Sequence, residues 1–135
     1  MPKGGCQCGA VGYRVEGAPQ HTALCHCGDC RKSAGAPTVA WAAFAEAQFA
    51  LEQGEVTTFN SSGASRRSFC PKCGTGEFFR NAETLPGIID IQPVTPGDPE
   101  SLAPQVHIQV AERLAYMGTA HELAEFTRYP GMPEE

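Results

Sequence analysis

Seven cysteines, Cys6, Cys8, Cys25, Cys27, Cys30, Cys70 and Cys73, are the residues best placed to do chemistry in this sequence. They form three clusters: Cys6-x-Cys8, Cys25-x-Cys27-x-x-Cys30 and Cys70-x-x-Cys73. An odd count leaves one thiol over in any fully paired disulfide framework. Thiolates two or three positions apart, by contrast, converge on one ion when the backbone between them turns tightly. In Cys70-Pro71-Lys72-Cys73-Gly74, Pro71 favours a turn and Gly74 can take the positive φ that brings backbone N–H groups toward sulfur. Cys8-Gly9 and Cys27-Gly28 repeat the Cys-Gly pairing. The spacing therefore predicts two zinc ions per chain. Cys6, Cys8, Cys70 and Cys73 would close a structural site, and Cys25, Cys27 and Cys30 would leave a fourth position free for water or substrate, as catalytic zinc does. Other assignments satisfy the same spacings: Cys6/Cys8 can pair with Cys25/Cys27, leaving Cys30 free, and His26 or a distant side chain can close the three-cysteine site.

The elements that must position these clusters are short. Ala10–Val15 alternates with period two, as a half-buried strand does. Strands are also expected at Thr38–Trp41 and Phe49–Leu51, joined through Ala42–Gln48, and at Gly54–Phe59. Arg66–Phe69 and Glu77–Arg80 should flank the Cys70–Cys73 turn, with further strands at Gly87–Ile91 and Gln105–Val110. Helix is expected only at Asp29–Gly35 and Ala120–Phe126. Fifteen Gly and eleven Pro among 135 residues imply many turns, so the fold class is mainly β. A modest, loop-rich domain of this kind commonly needs a metal staple.

Composition narrows the function. With 41% apolar and 19% charged residues the chain reads as globular, spanning 1–135 as one domain. Its longest apolar stretch, Val39–Ala45, is too short to span a bilayer of about 30 Å. Met1–Cys6 lacks the apolar core of a signal peptide, which predicts a cytoplasmic protein. A net charge of −5 disfavours nucleic acid as a partner, since phosphate binding needs a basic face. Short exposed strand edges would suit a homodimer.

Three longer signatures then resemble one family. They are Gly5-Cys6-Gln7-Cys8-Gly9-Ala10-Val11, Cys25-His26-Cys27-x-x-Cys30-Arg31-Lys32 and Phe69-Cys70-Pro71-x-Cys73-Gly74-Thr75. Together with Ser62-Gly63, Arg67, Ile89-Asp90 and His107-Ile108, they are spaced as in the glutathione-dependent formaldehyde-activating enzymes, over residues 4 to 129. The resemblance implies a β-tent of short antiparallel strands with zinc knuckles, and the same four-plus-three division of the cysteines. It implies carbon–sulfur lyase chemistry, the addition of glutathione to formaldehyde to give S-hydroxymethylglutathione. The family also holds the centromere protein V group, whose role is structural. After the knuckle, Thr75-Gly76-Glu77 replaces the apolar residue that relatives often carry near there, and Tyr116 stands where many carry Trp.

The enzyme reading gives each candidate a role. A thiol such as glutathione, entering the open position beside Cys25, Cys27 and Cys30, would lose its proton and attack a small aldehyde. His26, beside Cys27, is a candidate for proton transfer, although adjacent residues diverge in a tight turn. Arg31, Arg66 and Arg67, with Lys32 and Arg80 nearby, are candidates to hold the carboxylates of an anionic thiol, or else surface charges paired with Asp29, Glu55 and Glu77. The alternative to an enzyme is a non-catalytic zinc module that binds a protein partner.

Overall fold

Strand pairing, not helix packing, organises the chain in the computed structural model, which describes residues 3–131. Met1 and Pro2, part of the N-terminal reading, lie outside the described residues, as do 132–135. Among the described residues the elements are ten strands, one α-helix and five 3-10 turns, three of which follow the last strand. In chain order they are β1 (Lys3–Gly5), β2 (Gly12–Val15), β3 (His21–Cys25), α1 (Gly28–Ala34), β4 (Val39–Ala45), β5 (Phe49–Gln53), β6 (Thr57–Ser62), β7 (Ser65–Phe69), β8 (Gly76–Asn81), β9 (Ile88–Ile91) and β10 (Val106–Ile108). A three-stranded sheet runs β1-β2-β5, and a seven-stranded sheet runs β10-β3-β4-β9-β8-β7-β6. Neither sheet closes on itself. All pairings are antiparallel except β10 with β3, where Ile108 stands opposite Cys25.

Period-two alternation gives the large sheet two chemically different faces. Ala42, Phe44, Phe78, Ile89 and Ile91 pack against Tyr13 and Val15 of the small sheet, forming the main core. Each fully buried Phe or Ile there contributes about 1.5–3 kcal/mol by leaving water. Cys25, Val39 and Trp41 join Cys30 of α1 in a second cluster, with Phe79 and Ile108 packed against it. One sheet thus separates an apolar core from a sulfur-rich cluster roofed by a helix.

Three expectations need correction. The strand at Thr38–Trp41 does not give way to a connection at Ala42: β4 continues to Ala45, and only Glu46–Gln48 turn before β5. Ala42, Ala43 and Ala45 have poor strand propensity, but β4 is sandwiched between β3 and β9, and the ladder overrides propensity there. The helix expected at Ala120–Phe126 is only a 3-10 turn, Ala120–Glu122, whose residues have no buried face to pack. Gly54–Phe59 shifts forward to Thr57–Ser62, because β6 takes its register from β7 through the hairpin at Gly63.

Candidate metal centres

Hairpin turns build the first cysteine cluster. Cys6 and Cys8 lie in the turn after β1, and Cys70 and Cys73 in the turn between β7 and β8. The two turns are near copies. Gly9 N–H donates to the Cys6 carbonyl at 3.1 Å and Gly74 N–H to the Cys70 carbonyl at 2.8 Å, with φ of 83° and 79° at the two glycines. Backbone amides then point at sulfur: Val11 N–H at Cys6 Sγ (3.2 Å), and Lys72 and Cys73 N–H at Cys70 Sγ (3.4 and 3.5 Å). A hydrogen bond from Gln7 N–H to Thr75 Oγ1 ties one turn to the other. All four sulfurs lie within 4.8 Å of one another.

The second cluster is built at a strand-to-helix junction. Cys25 ends β3, Cys27 is the N-cap of α1, and Cys30 sits in its first turn. The Cys27 sulfur accepts from Cys30 N–H at 3.3 Å, so one thiolate both caps the helix and faces the cluster. Cys25 and Cys27 sulfurs are 3.5 Å apart, and the three sulfurs again lie within 4.8 Å of one another. Among the described residues no fourth His, Cys, Asp or Glu joins this trio. The structure therefore selects the four-plus-three division over the pairing of Cys6/Cys8 with Cys25/Cys27.

Both groups fit a metal ion. Sulfurs about 2.3 Å from one tetrahedral ion are about 3.8 Å apart. The measured pairs, 3.5 Å for Cys6–Cys8, 3.7 Å for Cys8–Cys70 and 3.5 Å for Cys25–Cys27, sit near that edge length. None of the seven cysteines is in a disulfide.

The charged surroundings of the two clusters differ. Arg67 is only 5% exposed and reaches the second cluster from β7. One of its Nη atoms donates to Asp29 Oδ2 at 2.7 Å and to Cys30 Sγ at 3.4 Å, its Nε donates to Ser61 Oγ at 3.0 Å, and its Cζ lies 4.8 Å over the Phe79 ring. A hydrogen bond from Cys25 and the Arg67 guanidinium hold the Cys30 thiol well below its usual range. The bond with Cys30 and burial push the Cys25 thiol up. Burial resists ionisation of Asp29, yet Arg67 and Ser61 keep its carboxyl below the ordinary value. Among the described residues no such cation is hydrogen-bonded to the first cluster, where a hydrogen bond with Thr75 lowers the Cys73 thiol.

His26 turns away from the sulfurs that flank it. It is 1% exposed, and its Nε2 lies 2.9 Å from Nδ1 of His107. His107 pairs with Leu24, one position from Cys25 and therefore on the other side of β3. Burial, then the charges of His107, Arg113 and Arg31, hold His26 below its usual pKa. Arg31 donates from Nε to the His26 carbonyl (3.2 Å) and from Nη2 to the Glu112 carbonyl (3.3 Å), tying α1 to the segment after β10. Arg66 is exposed on the β6–β7 hairpin and donates to the carbonyls of Gly63 and Ser65. Arg67 thus faces inward, whereas Arg31 and Lys32 border a surface depression of about 370 Å³ with Leu114 and Tyr116.

Sequence reasoning missed two acidic groups. Glu77 is 0% exposed and neither carboxylate oxygen has a hydrogen-bond partner; burial, with the charge of Cys73, pushes its carboxyl up to about 7. Asp90 lies on the sulfur-bearing side of β9, opposite Phe79 and Ala43, and burial raises it to about 6. Glu77 looked like an exposed strand residue beside the knuckle. The replacement of an apolar residue by Thr75-Gly76-Glu77 after the knuckle was the available signal.

Comparison with known proteins fixes the lineage. The family model of the glutathione-dependent formaldehyde-activating enzyme matches residues 1–112. The chain belongs to that family. The match takes in all seven cysteines, Arg67 and both histidines of the His26–His107 pair. A crystal structure of a Rhodobacter sphaeroides protein, solved as a structural-genomics target, superposes with a TM-score of 0.63 at 22% identity. It covers 78% of this chain and 98% of its own length, so the two share a fold. Among curated proteins, none matches this chain significantly.

Proposed function

We propose that this family member is a zinc-dependent carbon–sulfur lyase-type enzyme acting on the adduct of a small thiol and an aldehyde, with glutathione and formaldehyde as the reference pair. The observation that carries this reading is the three-sulfur set Cys25, Cys27 and Cys30, which no fourth His, Cys, Asp or Glu completes among the described residues. Zinc held there by three thiolates would supply Lewis acidity to one exchangeable ligand, and a coordinating thiol is deprotonated outright. Cys6, Cys8, Cys70 and Cys73 would hold the second, structural zinc.

The chain's own residues prepare that position. Arg67 supplies a buried positive charge to Cys30, and Asp29 and Ser61 fix the guanidinium. Trp41, Val39 and Phe79 pack around the sulfurs and limit water on that side. Cys27 ties the site to the N-terminus of α1, where the helix dipole favours thiolate. Arg31 and Lys32, at the far end of α1's first turns and beside the depression under Tyr116, are the cations best exposed to meet the carboxylates of an anionic thiol. Arg66 could add to this clamp from the β6–β7 hairpin. Arg67, being buried, serves as a positioning residue for Cys30.

The test is magnetisation-exchange NMR on formaldehyde and glutathione, with and without zinc-loaded protein. The uncatalysed reaction proceeds, so the readout is acceleration of exchange. Acceleration that disappears in Cys27→Ala, with one zinc lost and the fold kept, is the expected result. No acceleration with both zincs present would set this reaction aside in favour of a zinc module that binds a partner.

A further inference from the structure

A cavity of about 360 Å³ lies between α1, β4 and strands β6 to β8, on the sulfur-bearing face of the large sheet. Register puts Phe59 opposite Arg67 on the adjacent strand, so both side chains leave the sheet on one face. From that face Arg67 reaches Cys30 Sγ at 3.4 Å. Trp41 lines the cavity and also packs with Cys25 and Cys30. On α1, Ser33 and Ala34 follow Cys30 by three and four residues, the spacing that shares one side of a helix. The cavity and the three-thiolate cluster are therefore neighbours, with Trp41 and Arg67 as their common wall.

The Arg67 guanidinium is only partly used by the protein. Its Nη2 donates to Asp29 Oδ2 and Cys30 Sγ, and its Nε to Ser61 Oγ. Its Nη1 makes no hydrogen bond among the described residues, yet it is not sealed off as the unpartnered oxygens of Glu77 are. A guanidinium carries five N–H donors, so the pair on Nη1 is left for a ligand. Arg67 is 5% exposed, and the space it lines is this cavity. The remaining wall is largely aromatic: Phe59 and Phe69 meet edge-on at 6.0 Å, and Phe59 is 42% exposed, at the mouth.

We propose that this cavity holds a carbonyl compound, an aldehyde with an aromatic or apolar side chain, whose oxygen accepts from Arg67 Nη1. Naming an aldehyde as the natural occupant rests on the lyase reading. Three observations select this class. The Arg67 charge is already matched by Asp29 and the Cys30 thiol, so a carboxylate would add a further negative charge beside them, whereas a neutral acceptor takes the free N–H without that cost. The aromatic wall rewards burial of an apolar side chain. Formaldehyde has no side chain, and the volume lies within the range of small-molecule sites. During addition the thiolate forms the C–S bond and the carbonyl π pair moves onto oxygen. Arg67 stabilises that oxygen while keeping its own protons, and the proton given up by the thiol returns to it through water. The reverse sequence releases the aldehyde.

The experiment has a binding arm and a rate arm, both on zinc-loaded, full-length protein. In the first, acetophenone, which keeps the carbonyl, and ethylbenzene, which lacks it, are titrated and followed by amide chemical shifts. Saturable binding of the ketone that shifts the Ser33, Gly74 and Gly76 amides is expected, about ten-fold tighter than the hydrocarbon. Arg67→Lys, which keeps a cation for Asp29, should remove that preference. Ser33→Trp, at an exposed position on the cavity wall, should block the ketone in a protein that keeps its fold. Equal binding of the two probes by the wild type, no saturable binding of either, or ketone binding unaltered in a folded Ser33→Trp protein would overturn the proposal. In the second arm, magnetisation exchange of glutathione is measured with phenylacetaldehyde and with formaldehyde, and the larger acceleration is expected for phenylacetaldehyde. Acceleration of formaldehyde alone would overturn the substrate class and leave the lyase reading intact. Ketone binding with acceleration of neither aldehyde would contradict the lyase reading and support the carbonyl site.

Discussion

The two cysteine clusters use the same ligand but are built in different ways. Cys6, Cys8, Cys70 and Cys73 sit in two hairpin turns that would hardly meet without a shared ion, and their support comes from backbone N–H groups and Thr75. Cys25, Cys27 and Cys30 are positioned by a strand, a helix N-terminus and a packed apolar cluster before any ion binds. Their support is a buried side-chain cation, Arg67. A site made by its metal ought to collapse without it, whereas a site made by the fold should persist and leave a coordination position to chemistry.

Breaking the first site should have the largest effect. Cys70 is fully buried and its sulfur accepts from two backbone amides, so Cys70→Ala removes a ligand and orphans its donors. We expect a loss of more than about 4 kcal/mol and of the ordered β7–β8 turn, read by circular dichroism with metal analysis. A variant that keeps its melting temperature would erase the contrast between the clusters.

Arg67→Met comes next. It strips a buried charge pair of one partner and leaves Asp29, itself about a third exposed, facing Cys30. A cost of about 2–4 kcal/mol in urea unfolding is expected. Metal content at the first cluster should be unchanged.

Glu77 sharpens the comparison through pH. Its folded pKa of about 7 lies above its ordinary value of 4.5, so between these pH values the native state binds more protons than the unfolded one. Stability from this group therefore falls as pH rises from about 4.5 to 7 and stays low above that range. Relative to wild type, Glu77→Gln should gain up to about 3 kcal/mol between pH 4.5 and 8, at about 1.4 kcal/mol per pKa unit. Equal stability differences at both pH values, from paired denaturant curves, would show that Glu77 has a partner in solution.

The smallest effect on folding is expected for Cys27→Ala. It removes an N-cap of α1, worth about 1 kcal/mol, while β3, β4 and Arg67 still hold the surroundings. Thermal melts should move by a few degrees, alongside a complete loss of exchange catalysis.

The three cysteine clusters were legible in the sequence because ligand spacing is a local property: turns of the Cys-x-Cys and Cys-x-x-Cys type announce themselves. Which turns would meet was not local, and the pairing of Cys6/Cys8 with Cys70/Cys73 became definite only when β2, β5 and the large sheet were in place. A strand with clean alternation, Gly12–Val15, was visible, and so was the β-branched run Ile88–Ile91. β3 was not, since its residues His21–Cys25 are buried at three positions of five and show no alternation. The inward turn of Arg67 and the burial of Glu77 were equally hidden. Both are charged residues in strands, where pattern reading assigns charge to solvent, and both are set by register: Arg67 by its pairing with Phe79, Glu77 by the bulge beside it.

The difference between a filled and an unfilled coordination sphere can be measured directly by zinc K-edge X-ray absorption on the two-zinc protein. The account predicts a mean of about 3.5 sulfurs per zinc, from four cysteines at one ion and three at the other, rising to about 4 when a thiol such as glutathione is added. Four sulfurs per zinc from the outset, or a count that added thiol leaves unchanged, would contradict it.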